Sequence, residues 1–94
     1  MQCNFNDDIS RWEVANVQNM RSMFCHAVKF NQNVSSWKVA NVKDMDCMFC
    51  RAEEFNQDLS DWAVSADTDT RHMFMDTSLD RKPHWYEEDD EDDY

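Results

Sequence analysis

The chain has 94 residues, 41% of them hydrophobic and 31% charged, with a formal net charge of −11, no glycine and four cysteines. A chain this short hides only about 60–65% of its unfolded surface, so one small core is expected, and the sequence has no apolar run long enough to cross a membrane as a helix. Much of the acid excess lies in the run EEDDEDD over residues 87–93, which repels phosphate backbones and argues against a nucleic-acid partner.

The first residues, MQCNFNDDIS, carry no basic segment followed by an apolar stretch, so no secretory signal is expected there. Residues 1–11 read instead as a partial first copy of a recurring unit, with Phe5, Ile9 and Ser10 in phase with Phe30, Val34 and Ser35. The complete unit is 25 residues long: WEVANVQNMRSMFCHAVKFNQNVSS over residues 12–36 is followed by WKVANVKDMDCMFCRAEEFNQDLSD over residues 37–61. More than half of the positions are identical, and the shared ones are mostly apolar. Recurrence at this period predicts stacked coils in which neighbouring copies bury one another's apolar faces.

Within a copy the apolar spacing changes. Val17, Met20, Phe24 and Ala27, with Met23 beside them, follow three- and four-residue steps and predict a short helix, as do Val42, Met45, Met48, Phe49 and Ala52. Asn16 and Asn41 precede these stripes and suit caps. In the segment around Val34 to Val39, Trp37 and Val39 alternate with Ser36 and Lys38, which predicts a short strand, with counterparts near residues 9–14 and 59–64 in a parallel ladder. The expected core is therefore Trp12, Trp37, Trp62, Met23, Phe24, Met48, Phe49, Met73, Phe74, Phe30 and Phe55. Without glycine, positive φ at the corners is expected from Asn or Asp, and Asn6, Asn31 and Asn56 share one phase.

Residues 62–86 form a degenerate last copy. It keeps Trp62, Val64, Asp69, Met73 and Phe74, but Asp67, Thr70 and Asp80 stand at apolar positions. Residues 87–94 are expected to be a disordered acidic tail, because adjacent like charges repel and bury nothing.

The pattern FNQ-x-[Val/Leu]-S-x-W-x-V-x-N-V-x-x-M-x-x-MF-x-x-A, seen from Phe30 to Ala52 and in part from Phe5 and Phe55, resembles the BspA-like leucine-rich-repeat surface proteins of bacteria, mycoplasmas and some marine algae. The resemblance implies a leucine-rich-repeat-like α/β solenoid of about three and a half coils. It also implies an extracellular or cell-surface location, adhesion or protein binding, and no catalytic residues.

Nothing in the local spacing assembles a catalytic, cofactor-binding or metal-ligating signature, so a non-enzymatic module is expected. Its candidate interaction surface is the array of exterior side chains that vary between copies, Arg11, Glu13, Ser36, Lys38 and Asp61, facing a protein or surface glycan; the poorly capped first coil also allows end-to-end association. Two other readings remain open at this level: an intracellular acidic protein that binds a basic partner through its tail, and a calcium-dependent module using Asp7, Asp8, Asp58 and Asp61. Among the cysteines, Cys47-x-x-Cys50 has zinc-ligand spacing but lacks the usual second pair. Cys25 and Cys50 share a phase, which permits either a disulfide or a ladder of free thiols. Cys3 has no counterpart.

Overall fold

A computed structural model describes residues 4–86. It overturns the expected architecture: among the described residues there is no helix and no strand, only turns, bends and isolated parallel bridges, such as Asn19 with Asp44 and Asp44 with Asp69. The chain is therefore not an α/β solenoid of helix and strand units, and the resemblance to BspA-like leucine-rich-repeat proteins fails with it. The adhesion-type repeat module inferred from that resemblance fails for the same reason, because a largely irregular fold replaces the architecture on which it rested.

The hydrogen bonds explain why the helical stripe makes no helix. The N–H groups of Met20, Ser22, Phe24 and His26 donate to the carbonyls of Asp44, Asp46, Met48 and Cys50 at 2.8–3.0 Å. Between them, the N–H groups of Met23, Cys25 and Ala27 close turns onto the carbonyls of Met20, Ser22 and Phe24 at 3.0–3.2 Å. Alternate donors thus leave the segment, whereas a helix would keep them all within it. The third residue of the Met20–Met23 and Phe24–Ala27 turns has positive φ, Ser22 at 58° and His26 at 67°, as do the equivalent residues of the later copies, Cys47 at 59° and Arg51 at 64°, then His72 at 58° and Asp76 at 60°. Positive φ at that position is the signature of a type II turn and stops a right-handed helix from propagating. None of the six is one of the asparagines at the expected corner, and Asp76 alone is of the residue types expected to supply it.

Those asparagines do different work. Asn31 N–H donates to Asn6 Oδ1 at 2.9 Å and Asn56 N–H to Asn31 Oδ1 at 2.8 Å, while Gln32 and Gln57 donate to the same asparagines' oxygens at 2.9–3.0 Å. One of the expected caps is also redeployed, since Asn41 Nδ2 donates to the Ala15 carbonyl at 2.9 Å.

The expected strand around residues 34–39 is instead a pair of turns, closed by Trp37 N–H to Val34 O at 3.1 Å and Val42 N–H to Val39 O at 3.0 Å. Short side chains brace the bends. Asp8, Asn33 and Asp58 accept from the N–H groups of Ser10, Ser35 and Ser60, each at 2.9 Å. These bonds, that of the Ser10 N–H foremost at Asp8 and that of the Ser60 hydroxyl at Asp58, hold both carboxyls below the ordinary range.

The core lies between three aromatic columns. Phe5, Phe30 and Phe55 stack at 5.8 and 6.0 Å between ring centroids, and Phe24, Phe49 and Phe74 at 5.3 and 5.8 Å. Trp12 stacks on Trp37 at 6.3 Å and Trp62 on Trp85 at 6.2 Å. Lateral contacts of 4.2 Å join Phe24 to Phe30 and Phe49 to Phe55. The buried indoles of Trp37 and Trp62 and the partly buried one of Trp85 are satisfied, donating to the carbonyls of Ile9, Val34 and Leu59 at 2.9–3.1 Å. We call residues 5–29, 30–54 and 55–78 the first, second and third tiers; residues 79–86 cover part of the third.

Of the residues expected in the core, Trp37, Trp62, Phe24, Phe30, Phe49, Phe55, Met48, Met73 and Phe74 are buried. Trp12 and Met23 are not, at 52% and 38% exposure, because the first tier has no described residues packed over its outer side. Trp85, absent from the expected core, packs against it at a spacing of 23 residues from Trp62 rather than 25. The acidic run and Cys3 lie outside the described residues.

Candidate metal centre

Each tier places its first left-handed turn residue at the same phase, and that phase holds Ser22, Cys47 and His72. Cys47 N–H donates to the Arg71 carbonyl at 3.0 Å, which seats the second-tier turn against the third-tier turn and puts Cys47 beside His72. The preceding residue, Asp46, is fixed by its own backbone. Its N–H donates to Asp44 Oδ1 at 3.0 Å, and its carbonyl accepts from Ser22 N–H at 3.0 Å.

The result is a group of three possible ligands from two tiers. One ligand atom each from Asp46, Cys47 and His72 lies within 4.8 Å of the others, and all three residues are partly buried. Asp46 divides its oxygens. Oδ2 faces the Arg21 guanidinium at 3.5 Å, whereas Oδ1 is buried without a hydrogen-bond partner and faces His72 Nδ1 at 3.7 Å, too far for a hydrogen bond. An unsatisfied buried acceptor costs roughly 1–3 kcal/mol, more when charged. A cation between Asp46, Cys47 and His72 removes that cost.

The neighbouring sulfurs play other parts. Burial, then the Asp46 charge, pushes the Cys47 thiol up, so an ion binding there displaces a proton. Cys50 is pushed up to about 12, by burial first and then by the adjacent Cys47 and Cys25 sulfurs. A thiol so firmly protonated is a poor metal ligand beside Cys47. Cys25, Cys47 and Cys50 are all free thiols.

Comparison with known proteins places the chain. Residues 1–85 match the family described as Mycoplasma protein of unknown function, DUF285. The chain belongs to that family. No curated protein and no solved structure matches it significantly.

The DUF285 chain distributes its sequence-predicted surface residues unevenly. Arg11, Glu13, Ser36, Lys38 and Asp61 are all exposed, and Glu13, Ser36 and Lys38 line one shallow hollow of about 320 Å³ beside Trp12 and Trp37. Arg11 and Asp61 do not line it. The four carboxylates weighed for calcium do not converge; among the described residues the cluster of three ligand types is Asp46, Cys47 and His72. The same residues include no helix long and apolar enough to cross a membrane. Sequence reasoning missed the cluster because it compared histidines with histidines and cysteines with cysteines. The 25-residue spacing of Cys47 and His72 was the available signal.

Proposed function

We propose that this protein binds a divalent transition-metal ion of the zinc type, held by Asp46, Cys47 and His72. The observation that carries the reading is the buried Asp46 Oδ1 without a hydrogen-bond partner, beside a thiol and an imidazole. One sulfur, one nitrogen and one oxygen suit a borderline-soft ion and are a poor set for calcium or magnesium, which take oxygen. At ligand bonds of about 2.0–2.3 Å, tetrahedral ligands stand roughly 3.3–3.8 Å apart, so the group needs to contract by only about 1 Å. Arg21 orients the carboxylate from behind.

The ion's role in this reading is binding rather than catalysis. Cys47 comes from the second tier and His72 from the third, so a shared ion ties the two tiers together and its binding energy adds to the stability of the fold. The net charge of −11 favours cations over phosphate backbones, and nucleic acid is not among the partners we propose.

Cobalt(II) titration of the purified chain tests this directly. A thiolate-to-cobalt charge-transfer band is expected that zinc displaces and excess magnesium does not; Cys47→Ser should lose the band, and His72→Gln should weaken binding. Zinc at 100 times its Kd should add about 2.7 kcal/mol to unfolding stability. A chain that gives no such band, or whose variants bind cobalt as the parent does, refutes the site.

A further inference from the structure

We infer that Cys25 and Cys50 form a reversible oxidation site, a dithiol that a low-molecular-weight disulfide converts to a cross-tier disulfide. The inference does not rest on the metal reading, because neither sulfur belongs to the ligand group.

The geometry comes from the main chain. His26 N–H donates to the Cys50 carbonyl at 2.9 Å, and Phe24 N–H to the Met48 carbonyl at 2.8 Å, so Cys25 and Cys50 face each other as Asn19 and Asp44 do across their parallel bridge. Neighbouring chains in such a pairing run about 4.8 Å apart, inside the Cα range of about 4.4–6.8 Å that a disulfide spans. Side chains at paired positions of parallel segments emerge on the same side, and the neighbouring Phe24 and Phe49 rings, one residue earlier in each tier, stack at 5.3 Å.

The two sulfurs differ in access. Cys25 is partly exposed and Cys50 is buried, which divides the roles of entry and resolution. In the first step the Cys25 thiolate attacks one sulfur of the small disulfide, forming a mixed disulfide and expelling one small thiolate, which takes up a proton. In the second step Cys50, losing its proton, attacks Cys25 Sγ and expels the second small thiol. Two protein thiols are oxidised and one small disulfide is reduced to two thiols. The reverse reaction restores the dithiol, so the bond is a removable staple between the first and second tiers.

Glutathione disulfide is the probe, applied to the folded 94-residue chain, with free thiols then blocked and peptides mapped by mass. The expected product is a Cys25–Cys50 linked peptide pair with a raised thermal unfolding midpoint. Cys50→Ser should stop at glutathione on Cys25, Cys25→Ser should leave Cys50 unmodified, and Cys47→Ser should still form the linked pair. Circular dichroism of each variant before treatment confirms that it is folded. A Cys47–Cys50 pair as the main product overturns the assignment, as does an unchanged dithiol at oxidant ratios that oxidise the urea-unfolded chain.

Discussion

A left-handed backbone at a residue with a Cβ costs about 1–2 kcal/mol, and this chain adopts one at Ser22, His26, Cys47, Arg51, His72 and Asp76. At Ser22, His26, Cys47, Arg51 and His72 the conformation persists because each stands third in a turn that the next residue's N–H closes, and in the first four the residue's own N–H is bonded to the following tier. Ser22 isolates the effect, since it is exposed and its hydroxyl has no hydrogen-bond partner among the described residues. Replacing it with glycine relieves the left-handed strain, partly offset by about 0.5–1 kcal/mol of extra freedom in the unfolded chain. Ser22→Gly is therefore expected to leave stability unchanged or raise it by up to about 1 kcal/mol, and Ser22→Val, β-branched at positive φ, to lower it by about 1–2 kcal/mol. Urea midpoints of the two variants decide the matter. In a helix the glycine would instead cost about 1 kcal/mol, so a clear loss in Ser22→Gly would show that the turn geometry is wrong.

At the scale of the element, the repeating device is the asparagine corner. Asn31 Oδ1 accepts from Asn56 N–H at 2.8 Å and from Gln57 Nε2 at 2.9 Å, so one side chain ties two tiers by main chain and side chain together. These bonds are exposed and worth about 0.5–1.5 kcal/mol each. Asn31→Ala should cost about 1–2 kcal/mol, while Asn31→Asp, which keeps the accepting Oδ1, should cost far less at neutral pH; equal losses in chemical denaturation would mean that this acceptor contributes nothing. The corner also shows what was legible beforehand. The shared phase of Asn6, Asn31 and Asn56 was visible, but their role as acceptors rather than as positive-φ residues was not, because it depends on where the next tier's N–H groups fall. Periodicity misled in the same way. Turns beginning at Met20, Phe24 and Ala27 recur every three to four residues and bury the residue at each start, which copies the spacing of a helical stripe. The paired ends of the turns at residues 34–37 and 39–42 bury Trp37 and Val39 between exposed Ser36 and Lys38, which copies a strand. Of the metal group, the common phase of Cys47 and His72 could be read from spacing alone, whereas the unpartnered Asp46 oxygen required coordinates.

At the scale of the molecule, described residues without a helix or strand have no local ladder to carry them, and cohesion falls to the aromatic lattice. Phe49 stands at its middle. It is fully buried, stacked between Phe24 and Phe74 at 5.3 and 5.8 Å, pressed against Phe55 at 4.2 Å and tilted against Trp62 at 6.3 Å. Phe5 is the same residue type at the edge, half-buried, with Phe30 as its stacking neighbour. Removing a buried phenylalanine costs about 3–5 kcal/mol through lost transfer energy and the cavity left behind, while a domain of this size holds roughly 5–14 kcal/mol in all. Phe49→Ala should consequently bring the chain near unfolding at room temperature, and Phe5→Ala should cost about 1–2 kcal/mol, its side chain being only partly withdrawn from water. Guanidinium unfolding followed by near-ultraviolet circular dichroism of the stacked rings measures both. The far-ultraviolet spectrum of the parent, expected to lack the helical double minimum, supplies the control. Equal costs at the two positions would mean that stability is spread along the main-chain bonds between tiers, and that the aromatic columns merely fill the space those bonds enclose.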